Sequence, residues 1–233
     1  MQIHRPIPSH QIKLLIFDLD GTLIDSRQDL VNSVNAALRS LGREELPSDE
    51  IAAMVGDGAP TLVRRALGDT VDEVLLKRGL EFFLSYYREH KLDYTHLYPG
   101  IPEALDTLQG ANGQRRVMSV LTNKPVNPSR AIIDALGLAE RFVSVYGGNS
   151  FETKKPDPLG INTILAETGV RPDEAIMIGD SAVDILTGRA ARTWTCGVTY
   201  GFAPHTLVET PGDIMADNAQ ELARLLDDHS RSI

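Results

Sequence analysis

Ile12-Lys13-Leu14-Leu15-Ile16-Phe17-Asp18-Leu19-Asp20-Gly21-Thr22-Leu23 is the stretch on which the reading of this chain turns. Its first six residues are an almost unbroken apolar run, short enough for a strand and too short for a helix of ordinary length. A strand apolar on every residue is one covered on both faces, as in parallel sheets. Similar runs follow at Val117–Leu121, Phe142–Tyr146 and Ala175–Ile178, with weaker ones at Thr193–Val198 and Ile214–Ala216. Helical patterns lie between them, at Pro128–Leu136, Pro158–Thr168 and Val183–Ala191. Strand alternating with helix predicts an α/β fold: a doubly wound, Rossmann-like parallel sheet with helices on both faces.

Residues 26–90 break the alternation and carry helical periodicity only. Leu30, Val34, Ala37, Leu38 and Leu41 form one stripe, and Leu62, Val63, Ala66 and Leu67 a second. Val71, Val74, Leu75, Phe82 and Tyr86 are read as a third. Such stripes pack helix on helix, so an α-helical insert is expected at 25–95, between core segments 1–24 and 96–233. Tyr98-Pro99-Gly100 marks the return to the sheet.

Composition bounds the function. The 233 residues are 42% hydrophobic and 24% charged, which is globular, and the net charge of −9 repels nucleic acid and anionic membrane. The single cysteine, Cys196, rules out an intrachain disulfide and fits a reducing compartment. The first residues lack the hydrophobic stretch of a signal peptide, and no run reaches the roughly 18 apolar residues of a membrane span. A cytoplasmic protein, monomer or homodimer, acting on a small molecule is expected.

In open parallel sheets, sites lie beyond the carboxyl ends of the strands. There the sequence places Asp18-Leu19-Asp20-Gly21-Thr22, Thr122-Asn123-Lys124-Pro125 and Gly179-Asp180-Ser181 with Asp184. Lys154-Lys155-Pro156 precedes a helical segment. Each taken singly has an ordinary structural explanation: Asp-Gly makes turns, Asp and Ser cap helices, and paired lysines are usually solvated. The D-x-D-G-T string, however, arises by chance about once in 10⁵ positions. Carboxylates gathered in one crevice repel unless a cation holds them, and oxygen ligands without a His or Cys cluster select Mg²⁺ over zinc. A carboxylate screened in this way can attack phosphorus. A second Asp two residues on, on the same side of extended backbone, could serve as its acid and base. Thr122 and Lys155 would hold the phosphoryl oxygens.

Asp18-x-Asp20, Thr122, Lys155 and Gly179-Asp180-x-x-x-Asp184 together resemble the four motifs of the haloacid dehalogenase-like hydrolase superfamily. The resemblance implies that Asp18 is the nucleophile and Asp20 the general acid and base. It implies that Thr122 and Lys155, supported by Asn123, bind the phosphoryl group. It also implies that Asp18, the Asp20 carbonyl and Asp180 ligate Mg²⁺, with Asp184 in support, and that the helical insert is a cap.

Leu23-Ile24-Asp25-Ser26, Val55-Gly56-Asp57-Gly58-Ala59, Tyr98-Pro99-Gly100 and Gly197-Val198-Thr199-Tyr200-Gly201 are similar to the phosphoglycolate phosphatase branch. That branch implies hydrolysis of 2-phosphoglycolate. Other small phosphates (a sugar phosphate, a nucleotide or pyrophosphate) stand as alternatives. A phosphoacceptor signalling or binding protein is the alternative of another class, although receiver domains are about half this length and have no inserted cap. Asn149, where relatives often carry Asp, and Arg192, in place of a usual Gly, depart from the pattern.

The cap loop Gly56-Asp57-Gly58 allows two readings. Free amides at the following helix start, with Arg64 or Arg65, could take a substrate carboxylate. Equally, the loop could be a tight turn with two solvated arginines. A dinucleotide-binding reading fails for want of a third glycine and a preceding strand.

Overall fold

In the computed structural model, which describes residues 2–68, 70–110 and 115–227, strand β2 (Leu14–Phe17) lies inside a seven-stranded sheet. All four of its side chains are buried. They alternate as strand geometry requires. Leu15 and Phe17 join the larger apolar cluster on one face, and Leu14 and Ile16 a separate cluster on the other. An edge strand β1 (Gln2–Ile3) precedes β2, and β3 (Ile24–Asp25) follows it.

Four helices come next: α1 (Arg27–Ser40), α2 (Ser48–Ala53), α3 (Ala59–Leu67) and α4 (Glu73–His90). Strand β4 (His96–Leu97) and helix α5 (Ile101–Gly110) return the chain to the sheet. The alternation then runs β5 (Val117–Leu121), α6 (Val126–Ala135), β6 (Ser144–Tyr146) and α7 (Leu159–Thr168). It finishes with β7 (Ala175–Gly179), α8 (Ala182–Ala190), β8 (Trp194–Val198), β9 (Ile214–Ala216) and α9 (Ala219–Leu226).

The strand order is β1-β9-β8-β7-β2-β5-β6. Every pairing is parallel except β1 with β9, where Gln2 faces Met215. The sheet is therefore the expected Rossmann-like α/β core with one antiparallel edge added. No sequence period announces a two-residue strand, and β1 was not anticipated. The run from Phe142 forms a strand only from Ser144, because Ala139–Arg141 is a 3₁₀ turn.

Helices α1–α4 pack on one another between β3 and β4, which pair antiparallel with Ile24 opposite Leu97. The buried Asp29 carboxylate of α1 ties down the returning chain. It accepts hydrogen bonds from the Tyr94 and Thr95 amides and from Thr95 Oγ1 at 2.7 Å.

The third apolar stripe is corrected. The buried face of α4 is Leu76, Gly79, Phe83 and Tyr87, while Val74 and Phe82 are exposed. Gly79 fits this face: a Cβ there would sit 3.0–3.4 Å from Leu67, Leu41 and Val63, so the missing side chain lets α4 lie close against α1 and α3. Phe82, Tyr86 and His90 stack along the adjoining strip of the helix. No helix among the described residues is long and apolar enough to cross a membrane.

Candidate active site

The register of the central strands aligns their carboxyl ends. Phe17 is level with Val120 of β5 and Ile178 of β7, so Asp18, Thr122 and Asp180 emerge from adjacent strands at one edge. The chain turns towards β5 and β6 on one side of β2 and towards β7, β8 and β9 on the other. That change of direction leaves a crevice at the strand ends.

Asp18, Asp180 and Asp184 are buried there, each offering a carboxylate oxygen within 4.8 Å of the others. Lys155 comes from the loop before α7, and its ammonium lies 2.9 Å from Asp18 Oδ1 and 2.6 Å from Asp184 Oδ1. Asp184 reaches this point because it stands in the first turn of α8. There its second oxygen accepts hydrogen bonds from the Ser181 amide and hydroxyl at 3.1 and 2.7 Å. The residue therefore caps its own helix and meets Lys155 at once, so the capping explanation holds and leaves the other oxygen facing the cluster.

Asp180 Oδ2 accepts from the amides of Phe202 and Ala203 at 2.6 and 3.2 Å. Gly21 packs against the same carboxylate. Its φ of +80° suits glycine, and a Cβ would collide with Asp180 Oδ2. The glycine of the D-x-D-G-T string thus makes room for a carboxylate 159 positions further along the chain (180 − 21).

The cluster carries more negative charge than Lys155 offsets. Burial raises the Asp18 carboxyl to about 6 against the pull of Lys155, with Asp184 adding to the rise. Burial raises Asp180 to about 8, and the charges of Asp184 and Asp18 push the same way. Burial works against the charged form of Lys155, but Asp18 and Asp184 outweigh it and hold the ammonium above the usual lysine range. Buried oxygen donors with a charge deficit of this sign can take a divalent cation.

Residues 15–198 match the haloacid dehalogenase-like hydrolase family. The chain belongs to that family. It is 35% identical over 222 residues to the phosphoglycolate phosphatase of Vibrio parahaemolyticus, covering 92% of this chain and 96% of that one. It is 38% identical over 195 residues to the phosphoglycolate phosphatase of Pseudomonas syringae pv. tomato, covering 82% and 70%. A crystal structure described as a predicted phosphoglycolate phosphatase from Haemophilus somnus superposes with a TM-score of 0.86 at 29% identity, covering 92% of this chain and 98% of the other.

In this haloacid dehalogenase-like hydrolase the second carboxylate, Asp20, is held apart from the cluster of three. Lys124 Nζ donates to both of its oxygens at 2.9 Å, and Ser26 Oγ donates to Oδ1 at 2.5 Å. Lys124 is buried and sits 4.6 Å from the centroid of the Tyr87 ring on α4. Both residues stand in motifs quoted from the sequence, which gave neither of them a role. The available signal was their position, Lys124 two residues beyond Thr122 and Ser26 in the apolar entry to α1.

A cavity of about 490 Å³ opens between the strand ends and the helical insert. Asp18, Asp20, Thr122, Asn123 and Asp180 line it from the sheet side, and Gly56 and Gly58 from the insert. The Asn123 side-chain amide bridges the two, donating to the carbonyls of Gly56 at 3.0 Å and Lys155 at 3.1 Å. Lys154 donates to the Asp57 carbonyl. The Arg65 guanidinium goes to Asp57 Oδ2 at 2.6 Å and the Met54 carbonyl at 2.9 Å, and Arg64 pairs with Glu73; neither lines the cavity.

Arg88 and Lys91, at the end of α4, do line it, and neither was singled out in the sequence. Asn149 Oδ1 accepts from the Val126 amide at 2.8 Å, a contact at the start of α6 that an Asp would also make. Arg192 has φ +62°, which accounts for the glycine usual at this place.

Proposed function

We propose that this hydrolase is a Mg²⁺-dependent phosphomonoesterase whose substrate is 2-phosphoglycolate, with residues 25–95 as its cap. The observation that carries the reading is the buried group Asp18, Asp180, Asp184 and Lys155 at the ends of adjacent strands, with Thr122 beside it. Kinship with curated phosphoglycolate phosphatases supports the substrate.

The all-oxygen donor set and its uncompensated charge fit Mg²⁺, which Asp18, Asp180 and the Asp20 carbonyl would hold with Asp184 in support. When bound, the ion would neutralise the carboxylates and polarise the phosphoryl group.

Asp18, at the end of β2, attacks phosphorus. The phosphorus–oxygen bond to the leaving group breaks as the aspartyl phosphate forms. Asp20 gives the leaving alkoxide its proton, then takes one from the water that releases phosphate and regenerates Asp18. For the first of these steps Asp20 must carry a proton, so its pairing with Lys124 belongs to the resting arrangement. Thr122 and Lys155 steady the phosphoryl oxygens in both half-reactions.

The test is kcat/KM with Mg²⁺ for 2-phosphoglycolate against a panel of other phosphate esters and pyrophosphate. A preference of about several hundredfold, equivalent to ~3–4 kcal/mol, is expected. Broad weak turnover would remove the substrate assignment, and normal turnover by Asp18→Asn would remove the mechanism. The cavity's 490 Å³ favours one second reading, a larger phosphate ester, because pockets of this size also take drug-sized ligands.

A further inference from the structure

We infer that Arg88, on the cavity wall of α4, is the specificity-determining residue that receives a second anionic group on the leaving-group side of the phosphate ester. The inference rests on the phosphatase reading above and adds the substrate class that the cavity selects.

Three basic side chains line the cavity: Lys124, Arg88 and Lys91. The first is committed to both oxygens of Asp20. Lys91 Nζ donates to the Arg88 carbonyl at 2.7 Å. The Arg88 guanidinium is left with no hydrogen bond, ion pair or ring contact among the described residues. The contrast with its neighbours is chemical: Arg64 is held by Glu73, and Arg65 by Asp57 and the Met54 carbonyl.

Location adds to this. Arg88 follows Tyr87, whose ring lies against Lys124 and so beside Asp20. Lys91 is three residues on, which is the same side of a helix. The carboxylates that line the cavity, Asp18, Asp20 and Asp180, all come from the sheet side. On the wall of α4 the only charges that line it are Arg88 and Lys91, both positive. Phe83 and Leu84, one turn back, make the rest of that wall apolar.

A phosphate at the strand ends with a carboxylate towards α4 satisfies this polarity, and a neutral or cationic leaving group does not. Guanidinium forks also match carboxylates in a way that a lone ammonium does not.

The experiment compares kcat/KM for 2-phosphoglycolate, its homologues one and two methylenes longer, and ethyl phosphate, which lacks the carboxylate. The parent is set beside Arg88→Ala, Arg88→Lys and a control, Arg64→Ala. The expected result is a fall of roughly 10- to 100-fold in the preference for carboxylate-bearing esters over ethyl phosphate in Arg88→Ala. The fall should appear chiefly as a higher KM, be partly restored in Arg88→Lys and be absent in Arg64→Ala.

Failure of the substrate assignment would look different. If the parent prefers a longer homologue, 2-phosphoglycolate is the wrong substrate, yet loss of that preference in Arg88→Ala would still support the role of Arg88. If Arg88→Ala lowers turnover of every ester equally, or of none, the inference is overturned. It is overturned as well if the parent shows no preference for carboxylate-bearing esters of any length.

Discussion

The two walls of the cavity are built in different ways. On the sheet side, Asp18, Thr122, Lys155, Asp180 and Asp184 are all buried, and most are held by charged hydrogen bonds to one another or to fixed amides. On the side of the helical insert, Gly56 and Asp57 meet the core through their carbonyl groups, and Arg65 and Arg88 are exposed. The first wall derives its geometry from adjacent parallel strands, which cannot shift without breaking the core. The second meets the loops at the strand ends through single hydrogen bonds at Gly56 and Asp57, which can be made and broken at small cost, while its apolar side chains join the common core. The proposed chemistry thereby falls on the stiffer wall and the proposed substrate contact on the softer one, and substitutions should sort accordingly.

Lys155→Met attacks the stiff wall most severely. It leaves Asp18 and Asp184 facing each other in a buried site, and truncating one member of such a group costs about 3–5 kcal/mol. Turnover should vanish and the urea midpoint drop; a variant of parental stability would show that the lysine does not hold this wall together.

Asp180→Asn tests the charge surplus in the absence of metal. Asp180 has its carboxyl raised by burial and by its acidic neighbours to about 8, above the unfolded value near 4. The folded protein therefore holds the proton where the unfolded chain has lost it, and stability falls as pH rises from about 4 to 8. In EDTA the Asn variant should gain on the parent over that window, by about 1–3 kcal/mol at pH 8. Thermal melts of both proteins across the range measure it, and parallel curves would contradict the shift.

Asn123→Ala cuts the seam between the walls. It removes the bonds to Gly56 and Lys155, so a loss of about 1 kcal/mol and a several-fold rise in KM are expected from melting and steady-state kinetics. Arg65→Ala should do least. Its ion pair with Asp57 is exposed, worth about 0.2–1 kcal/mol, and kcat/KM for 2-phosphoglycolate should change by less than about fivefold. A larger effect would return Arg65 to the substrate side, as the sequence alone allowed.

Much of the stiff wall was legible before any coordinates. Asp18, Asp180 and Asp184 sit at fixed offsets from apolar runs, and a strand's carboxyl end is identifiable wherever such a run stops. The soft wall was not. The periodicity of α4 suggested Val74 and Phe82 as its buried face, because a stripe one position away is nearly as apolar. The face buried instead carries Leu76, Gly79, Phe83 and Tyr87, and that orientation sets Tyr87 and Arg88 at the cavity. Lys124 was legible only in part: its place two residues beyond Thr122 put it at a strand end, but its partner Asp20 lies 104 residues away.

The α/β class, the run of helices after the first motif and the polar groups at the strand ends are all legible in the chain. Each of these follows from local patterns of apolar residues and the polar ones that end them. Tertiary structure alone decided which cation meets which carboxylate and which face of α4 looks into the cavity. Those outcomes depend on side-chain packing between segments far apart in the chain, which no local pattern encodes.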